Sequence, residues 1–365
     1  MIIGVDAGAL SVGDKRLRVG VWRVTYELLK QLGKRDTKNV YRLYSFAPIE
    51  KSLMAVFGPR MTNVVLFPSP GYMSIRLPFE LVFHPVDLFI GLSQALPSVV
   101  PTKAIGCIYD LAFLHMGKQY GDSYAALQKQ TAEVVSKSLH IATISECSKK
   151  DIAKNYGIRK EKISVCYPGA DHWERGKTAS SPPVHIKRPF ILSVGALKRA
   201  KQIPDIIRGF ADFSERVKKP YDLLLVGGNY WEDPDIKKTI RTLSLEDRVL
   251  IMGHVPDALL QSYYHQAAAF VALGSWEGFC MPAVEAMKSG CPVVYAKSGA
   301  LPEVVGEAGI AVDPKKSDEV GSAIKRLVTD KRKRHTSITR GKKQARQFTW
   351  GSFGNQWKHL IENML

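Results

Sequence analysis

The chain has 365 residues, 45% of them hydrophobic and 24% charged, with a formal net charge of +18 at pH 7. That length fills two cored domains, the composition reads as globular, and no apolar run approaches the length of a membrane span. The basic balance points to an anionic partner, whether acidic lipid, a phosphate-bearing substrate or nucleic acid.

Met1 to Val5 reads as a buried strand that runs straight into the fold, so no secretory signal is expected. A loop from Asp6 to Val19 carries Lys15, Arg16 and Arg18. Helical periodicity begins at Gly20, where a glycine either lets backbone approach a phosphate or simply makes a loop-to-helix turn. Strands follow at Tyr41 to Phe46, Asn63 to Phe67 and Asp87 to Ile90. The stretch Leu77 to Pro101, rich in apolar and aromatic residues, reads as a covered core segment, with an apolar patch facing a membrane as the alternative. Ala104 to Ile108 is another strand, and Tyr109-Asp110-Leu111 lies at its carboxyl end. Asp110 is placed either to meet a ligand or to cap the loop through backbone amides. A helix over Tyr120 to Ser136, a strand over Ile141 to Ile144, a helix N-capped by Ser145 and a strand over Ile163 to Cys166 complete the first half.

Polar residues with paired prolines then mark a linker. A new strand, Pro189 to Val194, leads into Gly195-Ala196-Leu197-Lys198-Arg199-Ala200-Lys201. Strands at Asp222 to Val226 and Val249 to Met252 follow, the second leading into Gly253-His254-Val255. A helix over Leu259 to Ala268 precedes the most informative unit. There, an apolar strand from Ala269 to Leu273 is followed by a tight turn from Gly274. Pro282 suits a first helical turn, Ala283 to Lys288 continues the helix, and Gly290 ends it. Pro292 to Tyr295 is the next strand. The loop carries Glu277 and the helix Glu285. The amides of Gly278, Phe279, Cys280 and Met281 lie at the helix start, where an anion such as a phosphate is favoured. A carboxylate at Glu285 suits a vicinal diol such as ribose. A solvated Glu277 and a helix-capping Glu285 fit the spacing too. After a helix over Ser317 to Thr329, a basic run from Lys331 to Arg346 and a final helix over Phe353 to Met364 end the chain. Five scattered cysteines, Cys107, Cys147, Cys166, Cys280 and Cys291, form no close pair, so reduced thiols and no zinc site are expected.

Glu277-Gly-Phe-Cys-Met-Pro-Ala-Val-Glu285-Ala-Met resembles the two-glutamate signature of the retaining family 4 glycosyltransferases. Pro302-Glu303-Val304-Val305-Gly306, ending in Asp313-Pro314, continues it. The resemblance is strongest here and weakest in the first hundred residues. Gly20 and Arg23, Asp110, the segment from Ser145, and Lys201 match the family's pattern. Tyr109 stands where the family has His, Ala200 where it has Arg, and Cys280 where it has Gly.

The resemblance implies an α/β chain of the GT-B type. Two Rossmann-like parallel-sheet domains would face a cleft, and a C-terminal helix would cross back to the first. The expected divisions are residues 1–175 for the acceptor domain, 176–187 for a linker, 188–346 for the nucleotide-sugar domain and 347–365 for the returning helix. It implies catalytic roles for Glu277, Lys201 and Asp110. The donor would be held by Gly195, Arg199 and Lys201 at the diphosphate, with Gly20 on the other side. His254 and Val255 would meet the base, Glu277 to Met281 the sugar and phosphate, and Glu285 the ribose. No cofactor and no metal are expected, the nucleotide sugar (GDP-mannose first, then a UDP-sugar) being the substrate.

The expected reaction moves a hexose, mannose first, to a glycan or lipid-linked acceptor, as in polysaccharide synthesis. An anionic membrane surface is a candidate partner, nucleic acid is not expected, and the expected place is the cytoplasm or the inner face of its membrane. A nucleotide-sugar epimerase on the same scaffold and a basic nucleic-acid-binding protein are the alternative readings.

Overall fold

Runs of four or five consecutive apolar residues build the centre of two parallel sheets, as strands covered on both faces require. The computed structural model describes residues 1–11, 13, 18, 20–117, 120–172, 186–228 and 233–365. Lys15, Arg16 and most of the expected linker 176–187 lie outside the described residues. Backbone contacts divide the chain into two units, Met1–Gly169 with Thr349–Leu365, and Ala170–Phe348.

The first unit contains β1 (Ile2–Asp6), β2 (Val40–Ser45), β3 (Met61–Val65), β4 (Leu88–Gly91), β5 (Lys103–Cys107), β6 (His140–Thr143) and β7 (Ile163–Val165). They are ordered β3-β2-β1-β4-β5-β6-β7, every pair parallel. All of β4 is buried, whereas the edge strand β3 is largely uncovered. Thr349 caps the C-terminal helix Trp350–Met364, which buries Trp350, Phe353, Trp357 and Leu360 in this unit. Arg35 Nε donates to Asn355 Oδ1 at 2.9 Å, and the Tyr167 amide donates to Gln356 Oε1 at 3.0 Å. The helix expected over Tyr120 to Ser136 runs Ser123–Lys137. The stretch from Leu77 is covered on one side only. Leu77 and Leu81 are buried, but Phe79 and Phe83 of the same helix stand out into solvent.

The second unit contains β8 (Phe190–Val194), β9 (Asp222–Val226), β10 (Val249–Gly253), β11 (Ala269–Ala272), β12 (Val293–Ala296) and β13 (Ile310–Val312). Their order is β10-β9-β8-β11-β12-β13, again all parallel. Both sheets thus reverse strand order once, next to their first strand, as in the doubly wound Rossmann arrangement.

Two helices on this sheet, Ile203–Glu215 and Ser317–Thr329, meet through glycine. A Cβ on Gly209 would lie 2.2 Å from Val320 Cγ1, and one on Gly321 2.0 Å from Asp212 Oδ2 and 2.7 Å from the Phe213 amide nitrogen. A methyl at Gly321 has backbone in its way, so Gly321→Ala is expected to cost about 1–3 kcal/mol through helix displacement. The midpoint of chemical unfolding measures this; an unchanged midpoint would mean the helices slide apart freely. The basic helix Lys331–Ala345 is capped by Asp330 and mostly solvated, with Arg340 paired to Glu307 at 3.1 Å.

Candidate active site

The reversal of strand order in the second unit falls between β8 and β11. Loops leaving adjacent strands at such a point diverge to opposite faces, which opens a crevice at the carboxyl ends. A cavity lies there, lined by Gly195 and Lys201 from the β8 loop and by Gly274, Glu277 and Cys280 from the β11 loop.

The β8 loop is shaped by close backbone approach. The Gly195 amide donates to Val226 O at 2.9 Å, and a Cβ on Gly227 would sit 2.0 Å from Gly195 O. Both glycines hold a positive φ, 146° and 147°, that other residues rarely adopt. The chain then makes the short turn Arg199–Lys201. Lys201 points back over Gly195, and its Nζ lies 2.6 Å from Glu277 Oε1. Arg199 does not join it. Its side chain is 62% exposed, with Nε 3.9 Å from Asp233 Oδ1.

The Glu277 loop is fastened on two sides. The Ser275 amide donates to Ala200 O at 2.8 Å, tying it to the β8 turn. Ser298 Oγ donates to Gly274 O at 2.6 Å, and the Ala300 amide donates to Glu277 O at 2.8 Å. A Cβ on Gly274 would sit 2.3 Å from Glu277 Oε1, and one on Gly299 2.5 Å from Glu277 O. Only glycine at these places lets the carboxylate fold inward toward Lys201. Gly278 and Phe279 are buried, the Phe279 ring lying edge-on to Phe348 at 5.2 Å. Cys280 caps the helix Met281–Lys288 in the left-handed region, with φ 74°. A side chain there costs on the order of 1–3 kcal/mol that glycine would not; the fastened loop imposes it.

Burial, followed by the charge of Glu277, pushes the Cys280 thiol up to about 12. Burial pushes Cys107 and Cys291 up to about 12 as well. Of the five free cysteines only Cys147 is partly exposed. Ellman's reagent at pH 8 should therefore find one fast-reacting thiol in the folded chain. A second fast thiol, lost on Cys280→Ser, would mean that the loop opens readily.

Glu285 is buried but lies outside the cavity that Glu277 lines. One turn into the helix, the Glu285 side chain turns toward the neighbouring helix Asp257–Gln266, where the Tyr264 hydroxyl donates to Oε2 at 2.9 Å. On the other side His172 Nε2 stands 3.5 Å from Oε1. Burial and the charge of Glu285 push the Tyr264 phenol well above its usual value, so it stays a donor. Neither Tyr264 nor His172 is singled out by the sequence. His254 is exposed and Val255 buried in the loop after β10.

The remaining candidates belong to the first unit. Gly20 precedes the helix Val21–Arg35 with φ 54°. Asp110 Oδ1 accepts from the Ala112 amide at 2.9 Å, the loop-capping geometry. Tyr109 does not offer its phenol to a sugar: its hydroxyl donates to Leu92 O at 2.8 Å, closing the ends of neighbouring strands.

Residues 177–344 match the family described as Glycosyl transferases group 1. The O-antigen chain mannosyltransferase B of Escherichia coli is 28% identical over 255 residues, 68% of this chain and 67% of its own length. Mannosylfructose-phosphate synthase of Agrobacterium fabrum is 27% identical over 58% of this chain and 50% of its own length. The chain thus matches about half to two thirds of each. Among solved structures, sucrose-phosphate synthase from Thermosynechococcus elongatus superposes with a TM-score of 0.78 at 16% identity, covering 100% of this chain and 98% of that one. Anabaena Alr3699/HepE in complex with UDP-glucose superposes with a TM-score of 0.76 at 20% identity, covering 99% of each. The fold is of the GT-B type, and residues 177–344 of the chain resemble the group 1 glycosyltransferases, with mannosyltransferases among the similar proteins.

Proposed function

We propose that this chain moves a hexose, mannose first, from GDP-mannose or a UDP-sugar to a glycan or lipid-linked acceptor, with retention at the anomeric carbon. The observation that carries the reading is the Lys201–Glu277 pair, 2.6 Å apart at the strand-order reversal. A nucleoside diphosphate leaving group gathers negative charge, and a fixed cation stabilises it most in the transition state. Lys201 is that cation, Glu277 accepts from sugar hydroxyls, the turn into Met281 meets a phosphate, and Glu285 takes the ribose diol. Asp110 remains in the proposal on the acceptor side, through its match to the family. The mannose assignment leans on the mannosyltransferase relatives and the lipid-linked acceptor on the net charge of +18.

No resident metal is part of this proposal, so dialysis against a chelator should leave turnover unchanged. Thermal shift against a panel of nucleotide sugars selects the donor, and the anomeric proton coupling of the product reports retention. Turnover of a nucleotide sugar with no acceptor present would favour the epimerase reading instead.

A further inference from the structure

The helix Leu77–Phe83 of the first unit is apolar on both sides, and only one side is covered. Ile75, Phe79, Val82 and Phe83 are 54%, 60%, 53% and 71% exposed. Phe79 and Phe83 lie four positions apart on this helix and share a face, and Ile75 stands in the turn Tyr72–Arg76 just before it. The Phe79 and Phe83 rings stack with centroids 6.2 Å apart and planes 9° from parallel. Phe67, 77% exposed, is held to this ridge by Arg76, whose Nε donates to Phe67 O at 3.0 Å. Val99, also exposed, follows Ser98, which donates to Met73 O and to Ser74 O. Large apolar side chains gathered this way, rather than scattered singly, mark a docking surface.

The charges around the ridge decide what docks. Arg76, at the helix start, donates to the Phe67 and Pro70 carbonyls. Arg42, at the helix end, donates to the His84 and Pro85 carbonyls. These partners are neutral, so a fixed cation stands at each end of the apolar stripe. The two carboxylates of the segment are drawn into contacts of their own: Glu80 Oε2 lies 3.1 Å from His84 Nδ1, and Asp87 Oδ2 accepts from the Ile2 amide at 2.6 Å. An apolar stripe between cations, on a chain of net charge +18, complements an acidic lipid surface.

We propose that this ridge seats the protein on an anionic bilayer. Ile75, Phe79 and Phe83 enter the boundary between head groups and acyl chains, and Arg42 and Arg76 meet lipid phosphates. No helix of the described residues is long and apolar enough to cross a membrane, so the contact is interfacial. The inference deepens the proposed function by bringing the chain to where a lipid-linked acceptor lies.

Sedimentation of the full chain with sucrose-loaded vesicles tests it. Vesicles of equal parts phosphatidylglycerol and phosphatidylcholine are expected to bind the chain, and pure phosphatidylcholine vesicles to bind it several-fold more weakly. Phe79→Ser with Phe83→Ser should lower the partition by roughly tenfold or more, because two buried rings leave the interface. The melting temperature should stay near the parent's, since both side chains are exposed. Double-variant binding equal to the parent's, or no parent binding to either vesicle, would overturn the proposal. So would a parent that sediments as a dimer without lipid and becomes a monomer in the double variant, which would assign the ridge to a second copy. Thermal shift by nucleotide sugars is read on the same samples and should be unaltered. A chain that ignores every nucleotide sugar yet binds vesicles through Phe79 and Phe83 ends the enzymatic reading and leaves the ridge standing.

Discussion

Replacing Lys201 by methionine is expected to lower kcat for sugar transfer by about a hundredfold to a thousandfold. Removing one preorganised electrostatic partner of a developing anion has that size of effect. Methionine keeps much of the apolar stem over Gly195 and removes only the charge, so the loop keeps its shape. The loss should fall mainly on kcat, because the charge on the leaving oxygen is greatest in the transition state. Stability should fall too, by about 1–3 kcal/mol, since Glu277, with a side chain 11% exposed, loses its 2.6 Å partner. The two effects separate in the Lys201→Met, Glu277→Gln double variant. Neutralising both members should recover much of the stability and none of the activity. A kcat within threefold of the parent would remove Lys201 from the chemistry, whatever happened to stability.

Glu285→Gln carries the second large effect, and it should appear in KM for the donor and in the dissociation constant of the nucleoside diphosphate. A hydrogen bond to a charged group is worth roughly 1.5–3 kcal/mol, or about tenfold to a hundredfold in affinity. The amide offers one carbonyl where the carboxylate offers two acceptors, and the Tyr264 hydroxyl already takes an oxygen at 2.9 Å. Tyr264→Phe should act in the same direction and more weakly, because it loosens the Glu285 side chain without altering its charge. Since burial keeps the phenol protonated, the difference between the parent and the Tyr264→Phe variant should stay constant across neutral and mildly alkaline pH. Titration calorimetry with the nucleoside diphosphate decides: an affinity unmoved by Glu285→Gln would leave this buried carboxylate a packing role beside Tyr264 and His172.

Both expectations start from residues that stand out in the sequence, but neither takes its final form there. The spacing from Glu277 to Glu285 across Pro282 marks a loop-to-helix start, and the structure has that helix at Met281–Lys288. The spacing does not say which way each carboxylate turns. Glu277 folds inward because Gly274 and Gly299 leave it room and because Lys201, 76 residues earlier, reaches it. Glu285 turns to Tyr264, 21 residues earlier on a separate helix. Phe79 and Phe83 read as core because an apolar residue in a short helix carries no label for the side that will be covered.

The alternation of strands and helices, the parallel arrangement that buried apolar strands require, and the two-acid motif with its helix start are all legible along the chain. Those are local properties, written in periodicity and in the backbone preferences of glycine and proline. Folding in three dimensions was needed to settle that Tyr109 donates to Leu92 O, that Arg199 stands apart from Lys201, that Cys280 takes a glycine's conformation, and that one face of Leu77–Phe83 stays bare. The first three depend on partners distant along the chain, and the last on what the rest of the fold leaves uncovered. A buried polar group is satisfied by whichever donor the packing brings within about 3 Å.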